Sequence, residues 1–131
     1  ANVQTESADP NSLYNFYRNL IHLRNDHQAL RVGVYVPAPS PAIGLVSYLR
    51  VAKEESALVL INAAHKPVSG YFLRAYETGL PAGEYSLTPI MGSTAAWPNI
   101  TVDASGKIDQ PSGWPEIPVG GRIVLQLNKV K

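Results

Sequence analysis

Ten acidic side chains, three histidines and two tryptophans are the groups in this 131-residue chain that could do chemistry or recognise a ligand. A close pair of carboxylates can act as base or nucleophile and as proton donor. Pairs near in sequence include Glu54 with Glu55 and Asp103 with Asp109. Glu54 and Glu55 sit in the polar stretch Lys53-Glu54-Glu55-Ser56, which reads as a hairpin connection, so two solvated carboxylates are expected there. Asp103 and Asp109 flank Ala104-Ser105-Gly106 and read as turn residues. His22 and His27 are five apart on a helical segment and do not share a face well, while His65 falls in a loop. No metal site is expected from them, only solvated or locally bonded imidazoles. The absence of cysteine removes any disulfide framework, thiolate ligand or thiol nucleophile. Gly120-Gly121 precedes a strand rather than a helix, which argues against a phosphate cradle. Trp97 and Trp114 each precede a proline in a loop-rich stretch. Exposed, their flat rings could stack on a sugar; covered, they would cap a core, and the second role is the one expected.

Eleven basic residues against ten acidic ones leave a formal charge of +1, which gives no electrostatic case for nucleic acid or an anionic membrane as partner. The densest apolar run, 57–61, is far too short to span a bilayer. The N-terminus has neither a basic start nor an apolar stretch, so no signal peptide is expected in it, and the compartment stays open. No cofactor is implied.

Two kinds of element must position these residues, and the change comes near Leu30. Asp9-Pro10 suits an N-cap followed by the first helical position. Leu13, Phe16, Tyr17, Leu20, Ile21 and Leu23 then fall on one half of a helical wheel, and Asn15, Arg18, Asn19, His22 and Asp26 on the other. The spacing predicts an amphipathic helix from Pro10 to about His27, with Arg24 intruding on its apolar side, either paired or snorkelling to water. After Leu30 the period shifts to two. Strands are expected over 32–36, 45–51, 57–62, 68–73, 84–90, 99–103, 107–109 and 122–128, with proline and glycine between them. The strand 57–62 is apolar on both faces and belongs in the centre of its sheet. The fold class read from this pattern is mainly β: an antiparallel Greek-key sandwich of about eight strands preceded by one amphipathic helix.

Ser12-Leu13, Tyr17-Arg18, Leu20-Ile21 and Leu23-Arg24, followed by His27-Gln28-Ala29-Leu30 and Gly33, resemble the closing barrel helix of alpha-amylase-family enzymes (glycoside hydrolase family 13). Gln28 departs from the proline usual there. Val46-Ser47-Tyr48-Leu49-Arg50 and Leu58-Val59-Leu60-Ile61-Asn62 are similar to the first long hairpin of that family's C-terminal β domain, and Leu80-Pro81-Ala82-Gly83-Glu84-Tyr85 and the run 121–127 also fit. The resemblance is specific over 2–33, moderate over 44–62 and weak over 91–118.

The resemblance implies that residues 1–30 are the lead-in and last helix of a (β/α)₈ barrel and that 31–131 are a C-terminal β-sandwich domain. It implies a non-catalytic role, stabilising the catalytic barrel of an enzyme that acts on α-glucosidic bonds. The reacting carboxylates of the family lie on earlier barrel strands, so no catalytic residue is assigned to this chain. Phe16, Leu20, Arg24 and Asn62 are expected to serve structure. The catalytic barrel is the expected partner. An alternative is an α-glucan-binding module using exposed aromatic residues, Trp97 and Trp114 foremost.

Overall fold

The computed structural model describes residues 18, 21–22, 25–40, 42–110 and 114–130. The expected helix therefore falls largely outside the described residues, Phe16, Leu20 and Arg24 among them. Arg18, Ile21, His22, Asn25 and Asp26 are helical and exposed. Ile21, placed above on the apolar half, is 59% exposed. It lies three and four residues from Arg18 and Asn25, so it shares their outward face.

At His27 the backbone turns extended (φ −126°, ψ 114°), and one short helix follows, α1 (Gln28–Val32). Val32, which the alternation with Val34 and Val36 assigned to a strand, thus belongs to α1. Eight strands come next: β1 (Val34–Pro37), β2 (Leu45–Val51), β3 (Ser56–Asn62), β4 (Leu73–Ala75), β5 (Gly83–Met91), β6 (Ile100–Val102), β7 (Ile108–Gln110) and β8 (Arg122–Lys129). The expected strand over 68–73 is not continuous. Val68 makes an isolated bridge to Ile117, and the ladder begins only at Leu73. Gly70 sits between them at φ 65°, a left-handed backbone that breaks the extended run.

The strands run in the order β1-β2-β3-β8-β5-β6-β7-β4, and every pairing is antiparallel. The two layers of the sandwich are one hydrogen-bonded sheet folded over on itself. β5 is the strand that makes the fold. Its start, Gly83 to Tyr85, pairs with β6, and Tyr85 to Met91 pair with β8, with a register shift between Pro89 and Met91. Just beyond, Gly92 (φ 85°) runs so close to the Arg122 carbonyl that a Cβ there would lie 1.8 Å from that oxygen. Only glycine allows this approach.

Alternation puts Leu49, Leu58, Leu60, Ile123, Leu125 and Leu127 on the inner face of one layer. They meet Leu73, Ala75, Ile100, Val102 and Ile108 from β4, β6 and β7. This is the main core. β3 is buried at six of seven positions, Ile61 being the exception, which is the pattern of a strand covered on both sides.

Candidate functional site

The outer face of the β1-β2-β3-β8-β5 layer is the feature that a free-standing sandwich would not need. Cross-strand register places Tyr48, Val59, Val124 and Met91 in one row of that face, with Val46 and Ile61 opposite each other one row away. Ala57, Val59 and Val124 are buried there under Ala29 and Leu30 of α1. Tyr48, Ile61, Ile90 and Met91 are half-buried around them. Farther out, Val46 and Tyr35 are exposed, and the Tyr35 and Tyr48 rings lie 5.0 Å apart. An outward sheet face is ordinarily polar in an antiparallel sandwich. Here it is an apolar stripe, and α1 with its five residues covers only the middle of it.

Glu55 fastens α1 to this face. Its Oε2 accepts hydrogen bonds from His27 Nδ1 (2.8 Å) and Gln126 Nε2 (2.7 Å), and its Oε1 accepts from the Ala29 backbone N–H (3.0 Å). The solvated carboxylate expected from the polar turn is corrected on this point: the Glu55 side chain is only 15% exposed and joins three parts of the chain. Burial pushes its carboxyl upward. The bonds from His27, Ala29 and Gln126 and the charge of His27 outweigh that and hold it below the usual value. His27 accordingly has a long-range partner rather than a local one. Arg50 adds a tie from β2, donating from Nε to the Gly33 carbonyl (3.0 Å).

The other candidate acids serve turns and an edge. Asp103 accepts from the Ser105 hydroxyl (2.6 Å) and from the backbone N–H groups of Ser105 and Lys107. Those bonds, the hydroxyl's first, hold its carboxyl below the usual range. Asp109 pairs with Arg74 (3.1 Å) on the exposed side of the β4–β7 pair. Among the described residues no group of three or more His, Asp or Glu side chains is arranged to hold a metal.

Trp97 and Trp114 are each 7% exposed and belong to the main core. Their rings meet edge to face at 5.7 Å, and Tyr71 lies 6.2 Å from Trp114 on the other side. Trp97 Nε1 donates to Ser93 Oγ (3.1 Å), whereas the buried Trp114 Nε1 has no partner among the described residues. Neither indole has a free face to offer a sugar ring.

Asn62, at the end of β3, is 1% exposed. Its Nδ2 donates toward the carbonyls of Lys66 (3.0 Å), Ile117 (3.0 Å) and Pro118 (3.1 Å), and its Oδ1 accepts from the Ala64 N–H (2.9 Å). It ties the loop after β3 to the segment that leads into β8. Sequence reasoning had no sign of Glu55 as an anchor. The one available hint was a glutamate beside an apolar strand, which is too common to use.

No family profile matches the chain. Among curated proteins it is 36% identical over 62 residues to Alpha-amylase 2 of Dictyoglomus thermophilum, a stretch that is 47% of this chain and 10% of that protein. Among solved structures it is similar to a trehalulose synthase mutant in complex with Tris, with a TM-score of 0.56 and 25% identity, over 97% of this chain and 20% of the other. It also shares the fold of part of an alpha-amylase from H. orenii, with a TM-score of 0.50 and 24% identity, over 96% of this chain and 22% of the other. The chain thus spans between a tenth and a quarter of the length of these relatives.

Proposed function

We propose, from the premise that this chain is a region of an alpha-amylase-family (glycoside hydrolase family 13) enzyme, that it is the non-catalytic C-terminal part of that enzyme and stabilises the catalytic barrel. In this reading residues 1–30 close a (β/α)₈ barrel and 31–131 form the domain that leans on it. The intact enzyme acts on α-glucosidic bonds. One observation carries the reading: the β1-β2-β3-β8-β5 layer has apolar residues on both faces, and on the outer one Val46, Tyr48, Ile61, Ile90 and Met91 extend past the cover that Ala29 and Leu30 supply. Apolar surface of this kind, rimmed by polar residues, marks contact with another body of protein. α1 runs across residue 30 and packs on β3, so the helical lead-in and the sandwich are physically continuous at the proposed boundary.

Two measurements test this. The chain incubated with starch and with an aryl maltoside should release no sugar or phenol above blank, and turnover would sink the non-catalytic role. Val46→Asp should lower the stability of the isolated chain by no more than about 1 kcal/mol, the span of strand propensity. The same change in the whole enzyme should lower its melting temperature clearly. Equal, small effects in both would mean that the outer face docks on nothing.

A further inference from the structure

Five residues make a poor helix on their own, because nucleation costs more than so few bonds return. α1 also lacks the usual aids. Its N-cap residue, His27, makes no side-chain capping bond, and its first turn holds no acidic residue. The Ala29 N–H, one of the orphan donors that a cap would satisfy, is instead taken by Glu55 Oε1 from 26 residues away. The same carboxylate holds His27 on the lead-in and Gln126 on β8. A single side chain therefore supplies the cap, the bond to His27 and the link to the central strand.

We infer that Glu55 is an acid-sensitive latch: as a carboxylate it holds residues 27–33 on the outer face of the sheet, and when protonated or removed it lets that segment lift while the sandwich stays folded. Two features make the separation possible. The main core contains no residue of α1, and the apolar contact beneath α1 is a small cluster of its own, Ala29 and Leu30 on Ala57, Val59 and Val124. Among the described residues a further polar tie is the Arg50 bond to the Gly33 carbonyl.

The ionisable groups around Glu55, among the described residues, are few. The lead-in brings His27, with Asp26 before it and Arg31 after it, and Arg31 donates to the Asn25 carbonyl. The hairpin turn brings Lys53 and Glu54, and β2 brings Arg50. β8 presents the neutral Gln126, with Lys129 along the strand lining the same hollow as Glu54 and Glu55. β5 places Thr88 opposite Gln126. Acidification therefore acts on this contact mainly by neutralising the carboxylate that receives all three bonds. Its folded value lies below the ordinary one, so the docked state is favoured above the ordinary carboxylate range and loses that advantage as pH falls through the lowered value.

Amide hydrogen exchange on the 131-residue chain tests the latch, with protection factors corrected for intrinsic rates. Ala29 N–H, bonded to Glu55 itself, and Gly33 N–H, bonded to the Ala29 carbonyl, report the segment. Amides of β3 and β8 report the sandwich. In Glu55→Gln at neutral pH, protection at Ala29 and Gly33 should fall by about tenfold or more, the factor that corresponds to 1.4 kcal/mol. The β3 and β8 values should stay within about twofold. In the unmutated chain the same selective loss should appear on acidification below the carboxylate range, and Glu55→Gln should show no further selective loss there. His27→Ala, which removes one of the three bonds, should give a smaller loss at the same amides. Unchanged protection at Ala29 in Glu55→Gln would overturn the proposal. So would a loss shared by the β3 and β8 amides, or a variant that does not fold, because either would make the contact inseparable from the sandwich.

Discussion

Replacing Asn62 by alanine should cost the domain about 3–4 kcal/mol. The figure comes from counting what the side chain does. Its Nδ2 has two hydrogens spread over the carbonyls of Lys66, Ile117 and Pro118, and its Oδ1 accepts one bond from Ala64, so it makes about three full bonds. At about 1 kcal/mol net for each, that is about 3 kcal/mol. The groups left behind decide the remainder. The Ile117 carbonyl keeps the Val68 N–H, and the Pro118 carbonyl keeps the Gly121 N–H. The Ala64 N–H is half-buried and loses its acceptor, which adds up to about 1 kcal/mol at the low end of an unmet buried donor. Against a total stability of about 5–15 kcal/mol, such a loss is large. Urea unfolding followed by tryptophan fluorescence measures it directly, since Trp97 and Trp114 are both core reporters. Asn62→Asp keeps an acceptor for Ala64 but turns a negative charge toward three carbonyl oxygens, so it should be at least as damaging as alanine. A loss below about 1 kcal/mol for alanine, outside the range for several buried bonds, would refute the reasoning. So would an aspartate variant as stable as the parent.

Other outcomes follow from the same geometry. Gly92→Ala would set a Cβ 1.8 Å from the Arg122 carbonyl oxygen at a φ of 85° and should lower the melting temperature sharply; a change of less than about 2 °C would contradict it. Burial pushes the Tyr71 hydroxyl, which donates to the Pro115 carbonyl (2.7 Å), well above the ordinary tyrosine value. Its neutral form is favoured in the fold, so the stability it contributes is intact below about pH 10, the unfolded value, and declines as pH rises beyond it. A spectrophotometric titration should show one tyrosine ionising only as the fold is lost, and complete titration of a folded chain near pH 10 would contradict this. Adding maltoheptaose should leave tryptophan fluorescence unchanged, because both indoles are covered; a saturable shift would mean that a sugar reaches them.

Much of the architecture could be read from local pattern. Alternation over 45–51 and 122–128 marked β2 and β8, and the apolar run within 57–62 marked β3 as a strand covered on both sides. These readings worked because a strand's period and burial are written in its own residues. The stretch from Val68 to Leu73 misled, since its apolar residues go to a bridge, a buried tyrosine and the start of β4 rather than to one ladder. Val32 misled for a related reason: valines two apart fit a strand, but the helix resumes after His27 and takes the first of them. Glu55 and the detailed role of Asn62 were not legible at all. Their partners stand up to 71 and 56 residues away, and a polar side chain gives no local sign of such distant company.

β8, the last strand in the sequence, lies between β3 and β5 in the middle of the sheet. During synthesis the two halves, 34–62 and 73–110, are therefore made before the piece that joins them exists. Until residues 122–129 leave the ribosome, the strand that pairs with both β3 and β5 is missing. A chain stopped short by even those few residues would lose its central seam rather than a dispensable tail, and both halves would be open to capture by chaperones or to sticking to one another.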